Sequence, residues 1–433
     1  MQPHIGRLSR KAKMPVYTAV RRAQVILVVC SFLLLSLPSA ASARSDDAPT
    51  LPDLLRQNAY TLAEDNGKFS GPGLGFLVKA ARDAQFFGIG EEHNVKEIPE
   101  VAAKLFAALH DAHGFNYLVL EQDALACRWA SASPTRGSSD RIVALAKQYP
   151  NAFTFNSDQE LAMIAAAGAR SNGKAEVIWG LDQAFGALHI LERLTELAPS
   201  PEVRERTQKL AEASRTYDKT RFRPGRHYMS DVEKPDDFWR LEDLYRPARD
   251  PEAELLATQL VLSARVYQNH KRGTQHKVPG AYESNREREE NMKDLFLRRY
   301  REAQAQGDAV PKAVLKFGHW HMYRGRYRAY TSTLGNFVGE FARSNGMKSF
   351  YVAVHVNNPP GGFRAMRKES YLQALADAAP QDKWTIIDVR PLRGYWYAGL
   401  IKLSDELREE IFGFDAILVL GGARGATYHL TAK

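Results

Sequence analysis

Seven apolar runs of four to six residues recur along this chain: Gln85–Ile89, Tyr117–Leu120, Glu176–Trp179, Ala313–Phe317, Phe350–Val354, Trp384–Val389 and Ala416–Leu420. Runs this short, set off by Gly, Asn or Asp, suit strands buried on both faces rather than helices. Between the first two, Ile98, Val101, Leu105, Ala108 and Leu109 recur at helical spacing, so strand, loop, helix and strand follow one another within 36 residues. That is a βαβ unit, which joins parallel strands. The expected fold class is therefore α/β, a mostly parallel central sheet flanked by helices.

The stretch from Leu188 to about Tyr300 is highly charged and helical in period, with no convincing strand. It is expected to form a large helical insertion or cap above the sheet, interrupted at Tyr217–Pro247 by a mixture of Arg, Asp, Pro and aromatics. Its charge run Arg286–Glu290 is expected to be a solvated helix face. Asn357–Phe363 is expected to be a loop, and strands return between about 384 and 420.

The formal charge of +9 suggests a nucleic-acid or membrane partner only until its distribution is considered. Six of the 59 Lys and Arg, and none of the 50 Asp and Glu, fall in residues 1–43, so the remaining 390 residues carry +3. Nucleic acid is not an expected partner; a small molecule is. Residues 1–43 read as a cleaved secretory signal: basic residues through Arg21-Arg22, an apolar stretch Val25–Leu37, and Ala41-Ser42-Ala43 in the A-x-A form. Thirteen apolar residues are too few to span a bilayer, so stable membrane insertion is not expected, and Met14 is a second candidate start. The mature chain, residues 44–433, is expected to be exported to the periplasm or the medium. Cys30 lies in the leader, and Cys127 then remains as a buried thiol.

The chain has no G-x-S-x-G elbow, no H-E-x-x-H and no Walker A lysine loop. Gly421-Gly422-Ala423-Arg424-Gly425 follows a strand, but eight residues leave no room for the helix of a dinucleotide fingerprint. Chemistry concentrates instead at strand ends. Gly90-Glu91-Glu92-His93, Leu120-Glu121 and Lys316-Phe317-Gly318-His319-Trp320-His321 each place ionisable groups at the carboxyl end of a strand, where open α/β sheets bind ligands. Residues two apart on an extended segment face one way, so Glu91 is expected beside His93, and His319 beside His321. Asp182 marks a fourth strand tip, with helix capping or an arginine partner as its ordinary use. His110 and His113 are expected to serve the C-terminal end of a helix rather than a metal.

At these residues the sequence resembles the erythromycin esterase and ChaN-like superfamily, which also includes the TraB and Tiki proteins. Gly90-Glu91-Glu92-His93 and the following Leu120-Glu121 look like its opening strands. Gly180-Leu181-Asp182, Arg288-Glu289-Glu290-Asn291-Met292 and Lys316–His321 are similar to the later motifs of the esterases. Two spacings depart from the esterase pattern: Glu92 alone separates Glu91 from His93, and Trp320 alone separates His319 from His321.

The resemblance implies a hydrolase acting on an ester or related carbonyl compound, with no cofactor. His93 would be the general base on a water, oriented by Glu91 or Glu121. Arg288 and one of His319 or His321 would serve the oxyanion or the leaving group. The helical insertion would cap the pocket, with Phe185, Trp320 and Tyr323 as walls. The same resemblance admits other readings. One is a ChaN-like haem protein with His93, His319, His321 or a nearby Tyr as axial ligand. Another is a Tiki- or TraB-like hydrolase holding a divalent metal through Glu91, His93, Glu121 and His321. A third is an exported binding protein without turnover.

Overall fold

Each of the seven apolar runs contributes to a strand, and together with an N-terminal hairpin these strands make one sheet of nine. The computed structural model describes residues 49–430 except 221–227, 232–235, 277–278, 327–329 and 358–369. The proposed signal and most of the expected loop after Asn357 lie outside the described residues. Among those described, no helix is long and apolar enough to cross a membrane.

The strands are β1 Ala59–Asp65, β2 Lys68–Ser70, β3 Ala84–Glu91, β4 Tyr117–Asp123, β5 Ile178–Asp182, β6 Ala313–Gly318, β7 Lys348–Asn357, β8 Trp384–Asp388 and β9 Ala416–Gly421. Their order is β2-β1-β8-β9-β7-β3-β6-β4-β5. The six from β9 to β5 run parallel, β8 is antiparallel to both β9 and β1, and β2 is antiparallel to β1. Every residue of β3, β4, β5, β6 and β9 is buried, which is why these segments read as unbroken apolar runs.

Two differences from expectation have local causes. The fifth strand starts at Ile178, because Glu176 adopts a left-handed φ of 49° and turns the chain just before it. The β1–β2 hairpin was not anticipated from apolar content, since β1 buries only Leu62 fully. Its turn, Asn66-Gly67, has φ of 48° and 74°, the paired left-handed conformation of a tight hairpin turn that this dipeptide favours.

Helices cover both faces. On one, the helices Gly71–Ala81, Glu97–His113 and Asp158–Gly168 pack Leu77, Leu105, Phe106 and Ile164 against Phe87, Leu118 and Val354. On the other, the helices Gly280–Ala305 and Leu334–Ser344 pack Met292, Phe296 and Val338 against Phe86, Val119, Phe317 and Tyr351. A buried side chain of this size contributes roughly 1.5–3 kcal/mol. Cys127 is fully buried in the first core, as expected, and burial pushes its thiol pKa well up.

The described residues of the insertion form helices joined by turns, with no strand among them, and have a core of their own that includes Leu191, Leu194, Phe238, Tyr245 and Leu260. Its last helix, Gly280–Ala305, does more than cap. Phe296 and Tyr300 belong to the sheet core, and this packing fixes the helix against β5.

Candidate active site

The register pairs Glu91 with Gly318 across β3 and β6, and Leu120 with Lys316 across β4 and β6. Alternation along the strands then assigns faces. Ile89 and Val314 pack in one core, so Glu91 and Lys316, two residues on, lie on that side; Val119 packs in the other, so Glu121, two residues later, lies on the second side. Each side meets a charged residue from the helix covering it.

On the first side, Lys316 donates to Oε1 of Glu91 at 2.8 Å and to Oε1 of Glu160 at 2.6 Å, with all three side chains buried. Burial opposes the ammonium charge, but Glu160 and Glu91 outweigh it and hold the Lys316 pKa above its usual value. Burial also disfavours ionised Glu91, yet Lys316 and His93 keep its pKa below the ordinary carboxylate value. Glu160 goes the other way: burial, the larger influence, and the charge of Glu91 raise it to about 7 despite Lys316. Ser157 and Glu160 have capping-box spacing, and Ser157 does accept from the Glu160 N–H, but the Glu160 carboxylate turns to Lys316.

On the second side, Arg288 forks onto Asp182, with Nε 2.8 Å from Oδ1 and Nη2 2.7 Å from Oδ2, while Nη2 also lies 2.6 Å from Oε1 of Glu121. Asp182 thus takes the arginine partner, one of its two ordinary uses. Oε2 of Glu121 accepts the backbone N–H of Gly318 at 2.5 Å. Burial would raise the Glu121 pKa, but His321, His93, Arg288 and Gly318 hold it far below the usual range.

His93 stands between the two sides. Its Nδ1 lies 3.2 Å from Oε1 of Glu91, its ring stacks on Phe155 at 4.3 Å, and its Nε2 is 3.9 Å from Oε2 of Glu121. The side chain is 35% exposed, so the ring edge can be reached. Burial works against the imidazolium, but Glu121 and Glu91 outweigh it and raise the pKa above 6.5.

The paired histidines do not share a side. His319–Met322 is a helical turn, on which residues two apart point about 200° from each other. His321 joins the Glu121 network: its Nδ1 lies 2.7 Å from Oε1 of Glu289 and its Nε2 3.5 Å from Oε1 of Glu121. Oε2 of Glu289 in turn accepts the Leu334 N–H at 2.7 Å. His319 faces elsewhere, with Nε2 3.1 Å from Oε2 of Glu410 and the His355 ring 5.1 Å away. Of the six proposed site residues, Glu91, His93, Glu121, Arg288 and His321 form one network, and His319 belongs to a neighbouring cluster.

The charge run Arg286–Glu290 divides the same way. Arg286 pairs with Glu283 and Glu290 toward solvent, whereas Glu289 is buried and Arg288 turns inward. The solvated-face expectation is corrected for those two residues. Among the proposed walls, Trp320 is 48% exposed, and Tyr323 packs against Phe414 and beside Gly413. His110 and His113 bond the carbonyls of Phe115 and Val78 at the end of their helix, in keeping with a structural use. Glu160, Lys316, Glu289, His355 and Glu410 were not singled out from sequence. Of these, Lys316 is a charge inside an apolar strand and Glu289 lies within the Arg288–Met292 motif; the other three have no such signal.

Two cofactor chemistries can be tested on this donor set. Glu91, His93 and Glu121 bring ligand atoms within 4.8 Å of one another. However, Lys316 and Arg288 already sit at 2.8 and 2.6 Å from those carboxylates and supply the positive charge a metal would bring. A haem bound through Nε2 of His93, His321 or His319 would lie against a carboxylate 3.9, 3.5 or 3.1 Å from that nitrogen. Neither group fits these residues. A separate cavity of about 650 Å³ lies at the opposite end of the strands, where Arg390 and Arg324 pair with Asp388 and Asp415.

No protein-family model and no curated relative matches the chain. Solved structures do. A succinoglycan biosynthesis protein aligns with TM-score 0.56 and 16% identity over 87% of this chain and 97% of its own. A protein of Bacillus cereus aligns equally well, with TM-score 0.56 and 16% identity over 88% of this chain and 98% of its own. Erythromycin esterase EreC, as a histidine-to-asparagine variant in its open conformation, aligns with TM-score 0.54 and 14% identity over 86% of this chain and 99% of its own. At such identities the likeness is one of fold, and this chain has the α/β fold of erythromycin esterase.

Proposed function

We propose that this protein is an exported hydrolase that splits an ester or related carbonyl compound by His93-assisted attack of water. The observation that carries the proposal is the Glu91–His93–Glu121 arrangement, in which a partly exposed imidazole is held at Nδ1 by a buried carboxylate. With Nδ1–H donated to Glu91, Nε2 is the basic nitrogen, the orientation a general base requires. Its raised pKa makes it a stronger proton acceptor than free imidazole.

In the proposed reaction, a water oxygen bonds to the substrate carbonyl carbon while its proton passes to Nε2 of His93. The carbonyl π electrons move to oxygen, giving a tetrahedral oxyanion. Arg288 stabilises that charge, since its Nη1 N–H groups have no acceptor among the described residues while Nε and Nη2 are fixed by Asp182 and Glu121. His321, oriented by Glu289, supports the same charge. Collapse breaks the bond to the leaving oxygen, which takes the proton back from His93, so one water yields one acid and one alcohol. Glu91 and Glu121 stabilise the imidazolium between these steps. His321 is preferred over His319 for the supporting role because His319 faces Glu410.

The test is a panel of aryl esters, alkyl esters and lactones offered to the purified chain. On any substrate that turns over, His93→Ala is expected to lower kcat by about 10² to 10⁴. Wild-type turnover by that variant excludes the mechanism.

A further inference from the structure

Beside the catalytic network, His319, His355 and Glu410 converge from three separate segments: the turn after β6, the interior of β7 and the helix Asp405–Gly413. Nε2 of His319 lies 3.1 Å from Oε2 of Glu410, and Nε2 of His355 lies 3.5 Å from that same oxygen. All three ligand atoms fall within 4.8 Å of one another. His355 is 5% and Glu410 2% exposed.

The spacing resembles a coordination polyhedron. Bonds of about 2.0–2.1 Å to nitrogen and carboxylate oxygen put tetrahedral ligand atoms roughly 3.3 Å apart, close to the two observed separations. The surroundings differ from those of Glu121 in the decisive respect. No lysine or arginine pairs with Glu410 among the described residues; the partners of its carboxylate there are the two imidazoles, which can exchange a proton for a metal ion.

The far side of His355 is arranged as well. Its Nδ1 lies 3.5 Å from Oε1 of Glu92, the position of the outer carboxylate that orients a metal-bound histidine. His319 is seated by the Phe414 ring at 4.5 Å. Gly90 makes room for both, since a Cβ there would approach Phe414 to 2.8 Å and His319 Cα to 3.4 Å.

We propose that His319, His355 and Glu410 bind a divalent transition-metal ion of the zinc class, with Glu92 orienting His355. Two imidazoles and one carboxylate form a borderline donor set that suits zinc over calcium or magnesium, and three protein ligands leave a fourth position open. The ion sits apart from the His93 network, so the proposal stands or falls independently of the hydrolase reading.

The test uses the tag-free full chain, stripped with chelator and titrated with Zn²⁺ by calorimetry and with Co²⁺ by visible absorption. One ion per chain is expected, with a dissociation constant in the micromolar range or tighter and the intense d–d bands of a low-coordinate Co²⁺ site. His355→Ala and Glu410→Gln are each expected to weaken binding by about 100-fold or more, and Glu92→Gln by about 10- to 100-fold. His93→Ala is expected to leave it unchanged.

Absence of binding to the wild type overturns the proposal. So does binding lost in His93→Ala but retained in His355→Ala, which would put the ion in the other cluster. X-ray absorption of the wild-type zinc form guards against misfolded variants: two imidazole ligands are expected, and a spectrum without imidazole scattering overturns the proposal directly.

Discussion

The backbone N–H of Gly318 donates to Oε2 of Glu121 at 2.5 Å, and a Cβ on Gly318 would lie 2.9 Å from Nε2 of His93 and 3.2 Å from the same Glu121 oxygen. The Gly318 φ of −50° is open to any residue, so the need for glycine here is steric. In Gly318→Ala the methyl group is expected to displace the His93 ring by a few tenths of an ångström or more. Misplacement of a general base on the order of 1 Å costs about 10² in rate. The expected outcome is a kcat at least tenfold lower with a cooperative unfolding transition retained. Unchanged kcat would contradict the position assigned to His93.

The pH profile offers a separate check. His93 must be neutral to accept a proton, and Glu121 and Glu91 together raise its pKa against the effect of burial. The acid limb of kcat/KM is therefore expected above pH 6.5, with activity rising as pH increases through it. Glu121→Gln removes the largest influence raising the pKa and is expected to move the limb downward while lowering kcat. A limb at or below 6.5 in the wild type, unmoved in the variant, would show that another group controls the rate.

Arg288 joins stability to function. Its guanidinium neutralises Glu121 and Asp182, both almost fully buried. Arg288→Met leaves two buried carboxylates without their partner, a change that costs about 3–5 kcal/mol, measurable by urea unfolding at pH 7. Arg288→Lys keeps the charge but not the planar fork. It is expected to lose less stability than Arg288→Met while still losing most of the activity. Equal stability of wild type and Arg288→Met would mean that the ion pairs contribute nothing to the fold.

The parts of this site that were legible in the sequence share a physical cause. Strands buried on both faces produce unbroken apolar runs, and a polar residue that interrupts such a run at its carboxyl end stands out, as Glu91, Glu121 and Gly318-His319 do. Burial by covering helices leaves no such mark. Glu160 lies in the first turn of its helix, where an acid is ordinary, and Glu289 in a run of charges; only their orientation against β6 and His321 makes them buried partners. The opposed directions of His319 and His321 were equally hidden, because they depend on the chain entering a helical turn at Gly318 rather than continuing the strand. His355 lies within the apolar stretch Phe350–Val356 of β7, and its partner Glu410 is 55 residues further on. That pairing is set by the β7–β9 neighbourhood rather than by anything local.

Glu160 gives a stability effect of definite sign. Its carboxyl has a value of 4.5 when unperturbed and about 7 in the folded chain, raised chiefly by burial and then by Glu91. Between those two values the folded protein holds a proton that the unfolded chain has released, so this group makes stability fall as pH rises. Its contribution is complete below pH 4.5 and is lost by about pH 7, a span worth up to about 3 kcal/mol. Glu91 and Glu121 have depressed values and act in the opposite sense, contributing stability above the unfolded value that disappears on acidification. The wild-type curve alone therefore mixes the two trends. Glu160→Gln removes one of them while leaving an amide oxygen to accept from Lys316. Urea unfolding of both proteins at pH 5 and pH 7.5 is expected to show the variant gaining on the wild type as pH rises. A difference that stays constant across that interval would mean that Glu160 is ionised throughout, with Lys316 outweighing its burial.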